Sequence, residues 1–244
     1  MDIAMKLKNA AEFKYYLYVS KAKLDMLCSQ VGSSGKEKKS FEWGLDLKAF
    51  KAIRKVESED EPDRDDKLKA VIEALEQSQM VGTVDEPKDY VKGTLSMRWG
   101  IYRDAGRPTE EPPLVYFGGR TEKTILGFGG SSRHVEGNAG CAATGSRSVT
   151  PFLVTHLLEG MPTEGWNACR TQGMNEEQST CEAIVLATDN IRPPDQNLEF
   201  FSKTLLLGRY PDTKSSKKET MRVLLGSPIF VCLASPYPDD ISNY

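Results

Sequence analysis

Leu114-Val115-Tyr116-Phe117-Gly118-Gly119 is echoed eleven residues later by Ile125-Leu126-Gly127-Phe128-Gly129-Gly130. Both runs are apolar and close on a glycine pair. Arg120 to Lys123 between them is polar and turn-like. The pattern predicts a β-hairpin with a glycine pair on each strand. The echo is too short to define a repeat architecture. The hairpin therefore finds its partners elsewhere in the chain.

Several segments qualify. Tyr90 to Tyr102 reads as a strand, broken or bulged at Gly93 and Gly100. Phe13 to Val19 is aromatic and β-branched with apolar groups on both faces, which predicts a central strand. Met221–Leu225 and Ile229–Leu233 are apolar runs split by Gly226-Ser227-Pro228, giving two strands or one kinked strand. Phe41, Trp43, Leu45 and Leu47 alternate with polar residues or glycine, as in a half-buried strand.

Helical signals lie between these strands. Ser20 is placed as an N-cap for a helix from Lys21 to about Gln30. Lys67 to Met80 carries Leu68, Val71, Ile72 and Leu75 on one face. Thr150-Pro151 opens a helix through His156 to Glu159, and Asn175–Asp189 and Asp195–Leu207 read as two more. Gly32–Ser40, Arg103–Pro113 and Gly137–Ser148 read as loops, and Glu57–Asp66 as a linker. The sum predicts an α/β or α+β single domain over 13–235, a mixed β-sheet flanked by helices. Residues 1–12 and 236–244 fall outside it as flexible ends.

Composition narrows the function classes. With 39% apolar and 27% charged residues, 244 residues suffice for a core without staples. A net charge of −3 argues against broad nucleic-acid binding. No apolar run approaches the roughly 20 residues of a membrane span, and the first residues lack a signal-peptide core. The 5 cysteines are odd in number, widely spaced and without a CxxC pair, which predicts reduced thiols in the cytoplasm. With 2 histidines and no clustered cysteines, no zinc site is expected. No cofactor motif is present.

The chemistry concentrates where the second hairpin strand runs on into Ser131-Ser132-Arg133-His134. Backbone N–H groups of Gly129, Gly130, Ser131 and Ser132, with the two serine hydroxyls, suit a cradle for an anion, a glycine-rich loop. Arg133 and His134 would add positive charge. The spacing is neither that of a Walker loop nor that of a dinucleotide fingerprint. Ser20 and Lys21, at the start of the first helix, are a second anion-binding element, with Lys21 or Lys23 as the cation. Arg98, between Met97 and Trp99, could clamp an anionic or planar ligand, or simply face water opposite Trp99. Gly226-Ser227-Pro228 reads as a turn that could border a ligand.

Lys14-Tyr15-Tyr16-Leu17-Tyr18-Val19-Ser20 leading to Lys23-Leu24-Asp25-Met26-Leu27 resembles the start of an uncharacterised family of bacterial proteins common in actinobacteria. Met97-Arg98-Trp99-Gly100, Tyr116-Phe117-Gly118-Gly119, Leu126 through Ser131 with His134-Val135, and Val223 through Pro228 are similar to its later blocks. The resemblance covers Lys14 to Leu233. It implies a bacterial, intracellular protein that folds as one unit, and it brings no activity. Lys21 stands where the resemblance suggests an acidic residue, which favours a cationic rim over a metal role there.

Three functions follow as expectations. The first is a ligand-binding or sensor domain for a small anionic molecule such as a nucleotide, held by Ser20, Lys21, Arg98, Gly129, Gly130 and Arg133. The second is a hydrolase or group transferase with His134 as base and Ser131 or Ser132 as nucleophile. The third is an interaction module whose sheet edges pair with a partner chain.

Overall fold

The computed structural model describes residues 14–33, 63–102, 113–137, 176–192, 194–211 and 220–234. The hairpin forms as the echo predicts. Strands β4 (Leu114–Arg120) and β5 (Thr124–Ser131) pair antiparallel, Leu114 opposite Ser131 and Arg120 opposite Ile125. Its turn is locked by Thr121. The Thr121 hydroxyl accepts from the backbone N–H of Thr124 at 2.9 Å and donates to Asp85 at 2.6 Å.

Around the hairpin stand β1 (Tyr15–Val19), β2 (Val81–Gly82), β3 (Tyr90–Tyr102), β6 (Gln196–Pro211) and β7 (Thr220–Leu233). Among the described residues the helices are α1 (Lys21–Ser33), α2 (Arg64–Gln77) and α3 (Glu176–Asn190), with a 3-10 turn at Ser132–His134. Among the described residues, five of the 7 strands pair in a closed ring. β3 pairs with β4, β4 with β5, β5 with β7, β7 with β6, and β6 returns to β3. The result is a small barrel. β1 lies beside β7 and the two-residue β2 beside β3. Most pairs are antiparallel, while β5–β7 and β2–β3 are parallel, so the fold is α+β with a mixed sheet.

Strand alternation sorts the apolar residues into three layers. Inside the barrel lie Met97, Val115, Phe117, Leu126, Phe128 and Phe200, all fully buried. Each such side chain contributes roughly 1.5–3 kcal/mol of burial. The outer faces of Tyr116, Ile125, Val223 and Leu225 pack under Ile184 and its neighbours on α3. Phe201, Phe230 and Cys232 face Leu24 and Leu27 of α1 and Val71 and Leu75 of α2.

These layers explain the glycines. Gly127 faces α3, and a Cβ there would lie 2.9 Å from Ile184 Cγ2 and 3.0 Å from Tyr116 Cζ. Gly130 faces the barrel interior, where a Cβ would lie 2.8 Å from Tyr18 Cζ and nearer still to its oxygen. The run Gly127–Ser131 is thus a buried strand, not the expected loop. Its glycines admit a helix on one side and an aromatic ring on the other.

Three further expectations are corrected. Asp195–Leu207, read as a helix, is most of strand β6. Its Leu, Glu and Lys content favours helix locally, but β3 and β7 pair along its two edges and override that preference. Phe13–Val19 is not central, since β1 pairs only with β7 among the main strands and ends the strand order. It is apolar on both faces because Tyr18 caps the barrel interior while Val19 packs under the helices. The helix expected from Lys67 begins at Arg64, three residues inside the expected linker. Of the two alternatives at Gly226-Ser227-Pro228 the structure shows the second: β7 is one strand, whose register against β6 shifts on either side of this triplet. The strand at Phe41–Leu47, the helix at Thr150–Glu159, the loop Arg103–Pro112 and most of Gly32–Ser40 and Gly137–Ser148 lie outside the described residues, as do 1–12 and 236–244.

Candidate functional site

Where β5 ends, three segments distant in sequence meet. Tyr18 of β1 bridges to Val135, and the Glu136 N–H donates to the Leu17 carbonyl at 2.9 Å. The Ser20 N–H donates to the Ile229 carbonyl at 2.8 Å, which fixes the start of α1 against β7. From the first turn of α1, the Lys23 ammonium donates to the Pro228 carbonyl at 2.8 Å. Ser20, Lys23, the 3-10 turn Ser132–His134 and the Ser227-Pro228 corner thus border one rim.

Tyr18 stands at the centre of this rim. Its ring is edge-on to His134 with centroids 5.6 Å apart, and edge-on to Phe117 at 6.0 Å. Lys23 Nζ lies 5.9 Å from the Tyr18 ring centre. The Tyr18 hydroxyl is sealed from solvent and makes no well-formed hydrogen bond. Burial pushes the phenol pKa up, and the Ser20 hydroxyl beside it opposes this without reaching bonding geometry.

The rim is basic. Burial alone pushes the Lys23 ammonium down to about 8, with no neighbouring charge contributing. Among the described residues no carboxylate acts on it. His134 is held below its ordinary range by burial first, then by the positive charges of Lys23 and Arg133. His134 is accordingly a neutral imidazole at neutral pH.

The expected site residues divide. Ser20, Ser131, Ser132, Arg133 and His134 come to this rim. Gly130 reaches it as the floor beneath Tyr18. Lys21 is exposed at the first position of α1, and Lys23 takes the place expected of it. Gly129 is buried in the hairpin opposite Tyr116. Arg98 is engaged elsewhere: its guanidinium donates to Asp195 at 2.7 and 3.3 Å and to the Ile191 carbonyl at 3.3 Å. Trp99 faces the other way, stacked on Phe117 at 5.7 Å.

Sequence reasoning passed over Tyr18 and gave Lys23 second place. Lys23 follows Ser20 by three residues, so on a helix it leans back over Ser20. That spacing was the available signal. Nothing local in the sequence links Tyr18 to Gly130.

The arrangement departs from a hydrolytic triad. Ser131 Oγ accepts from the Arg133 N–H at 3.4 Å, and no acidic group among the described residues acts on His134. Nor do three His, Cys, Asp or Glu side chains cluster anywhere among those residues. An open cleft of about 320 Å³ runs along β1 past Tyr16, Arg64, Trp99 and Glu136. Its cations are matched: Arg64 pairs with Glu136 at 2.5 Å and lies over Tyr16, and Lys14 pairs with Glu199 at 2.6 Å.

The fold and rim define a closed α+β barrel with a sheltered cationic mouth. The chain belongs to the family of unknown function DUF7019, whose model matches residues 14–235. Neither curated proteins nor solved structures give a match. No helix among the described residues is long and apolar enough to cross a membrane.

Proposed function

We infer that this chain is a ligand-binding or sensor domain that recognises a small anionic molecule at the rim of Ser20, Lys23, Ser131–His134 and Pro228. The observation that carries this reading is Lys23. Its ammonium is sheltered, bonded to one carbonyl, and faces no carboxylate among the described residues. A buried cation costs stability unless an anion compensates it. A phosphate or carboxylate would supply that compensation, with Arg133, the α1 start and the Ser20 hydroxyl adding contacts. A phosphate ester such as a nucleotide fits this chemistry. Among the described residues, Cys28, Cys181 and Cys232 form no disulfide, which accords with a reducing, cytoplasmic setting.

Titration calorimetry with phosphate, pyrophosphate and nucleotides tests the reading. Binding by the wild type that falls at least tenfold in Lys23→Met supports it. A folded wild type that binds none of them overturns it.

A further inference from the structure

The same rim contains the parts of a reactive amine. Lys23 Nζ is held in place by the Pro228 carbonyl at 2.8 Å, an acceptor that cannot protonate it. The Tyr18 ring lies 5.9 Å from it, and His134 packs edge-on against the same ring. The Ser20 hydroxyl lies beside the Tyr18 hydroxyl, which is sealed from solvent above Gly130.

We propose that Lys23 condenses with the carbonyl carbon of a small anionic aldehyde or keto acid to form an imine. This rests on the anion-binding reading above and names its ligand class as carbonyl-bearing. The neutral amine attacks the carbonyl carbon, and the C=O pair moves onto oxygen. One amine proton passes to that oxygen, giving a carbinolamine. The second follows as the C–O bond breaks and C=N forms. Both amine hydrogens leave with the carbonyl oxygen as water, and nothing is oxidised or reduced. His134, neutral and packed on the same tyrosine ring as the amine, relays the protons through water. Arg133 with the α1 start receives the anionic group.

The physical basis is access to the neutral amine. An exposed lysine near 10.4 is almost wholly protonated at neutral pH, whereas one near 8 is about a tenth unprotonated at pH 7. Among the described residues, His134, Arg133 and Lys23 are the charged or titratable groups that act on one another from α1 and the 3-10 turn, and Tyr18 is the one from β1. None of them returns a negative charge to Lys23 at neutral pH.

The test uses pyridoxal 5′-phosphate, which joins an aldehyde to an anion, followed by borohydride reduction and peptide mass spectrometry. Lys23 should be labelled at least tenfold faster than the exposed Lys21 and Lys69, and its rate should rise from pH 6.5 to 8.5. Lys23→Arg, which keeps a cation for Pro228, should abolish that fast labelling. His134→Gln should slow it while the melting temperature holds. Labelling of Lys23 no faster than Lys21 in the folded wild type overturns the proposal. If phosphate still binds in that case, the anion reading survives alone. Failure of phosphate and pyridoxal 5′-phosphate to bind at all removes both.

Discussion

Tyr18 packs over Gly130 because Gly130 has no side chain: a Cβ there would lie 2.8 Å from the tyrosine Cζ and nearer still to its hydroxyl. This one contact joins the N-terminal strand to the hairpin and positions the ring around which Lys23 and His134 gather. Gly130→Ala should therefore destabilise the fold by about 1–3 kcal/mol through overpacking, a fall of roughly 2–4 °C in Tm per kcal/mol. In the double variant with Tyr18→Phe the nearest clash is gone, so the cost of Gly130→Ala should be smaller there than in the wild-type background. An equal cost in both backgrounds would show that the added methyl does not meet the hydroxyl. Chemical denaturation of the two single variants and the double variant decides it.

Tyr18→Phe alone removes a buried hydroxyl that makes no well-formed bond. The variant should be as stable as the wild type or up to about 1 kcal/mol more stable, since no partner is orphaned. A clear loss of stability would mean that the hydroxyl is bonded within the fold.

Lys23 should leave a signature in the pH dependence of stability. Below pH 8 the folded and unfolded chains both carry its charge, and the folded state bears the cost of burial. Between about 8 and the ordinary 10.5 the folded chain sheds the proton first, so the unfolded chain binds more protons and stability rises with pH. Measured against Lys23→Met, the wild type should gain stability across that window. Saturating phosphate should flatten the gain, because a bound anion holds the proton on. A flat difference curve in the absence of ligand would refute the sheltered charge.

His134 acts at the acid end. Its folded pKa lies below the ordinary 6.5, so the unfolded chain takes up the proton first as pH falls through 6.5. Stability should drop there, and His134→Ala should lose that drop. At pH 7 the same variant should cost only about 0.5–1.5 kcal/mol for the lost edge contact with Tyr18, while anion affinity falls. Guanidinium titrations at pH 5, 6 and 7 report the first part and calorimetry the second.

Arg98→Ala provides the contrast. Its guanidinium ties β3 to Asp195 at the surface, away from the partners of Lys23. Anion affinity should match the wild type, and the melting temperature should barely move. A loss of affinity would place Arg98 in the site after all.

The hairpin, β3, β7 and the helices α1, α2 and α3 were legible because each carries its own local signal: the glycine echo, the two-residue alternation, the apolar faces of Leu68, Val71 and Leu75. β6 was not. Its Leu198, Phe201 and Leu205 recur at a helical spacing, and only pairing on both edges makes it a strand. The glycine run was found for the wrong physical reason. Gly129 and Gly130 looked like part of an open cradle, yet the run lies within the sheet, with Tyr18 over Gly130 and Ile184 over Gly127, which no local pattern reveals. The neighbourhood of Ser20, His134 and Pro228 was partly visible as three suspect segments. Their meeting depends on β1 and β5 both lying against β7, a fact of topology.

That dependence on β7 governs how the chain reaches its native state. β7 is the last strand among the described residues, and it pairs with β1 over a sequence separation close to the full length of the described chain. It also completes the ring through β5 and β6. A ribosome-bound chain lacking β7 has no closed barrel and no seat for Lys23. Closure is therefore a late event, limited by the search entropy of joining distant ends, and the domain folds slowly for its size. The rim comes into being only at that final step.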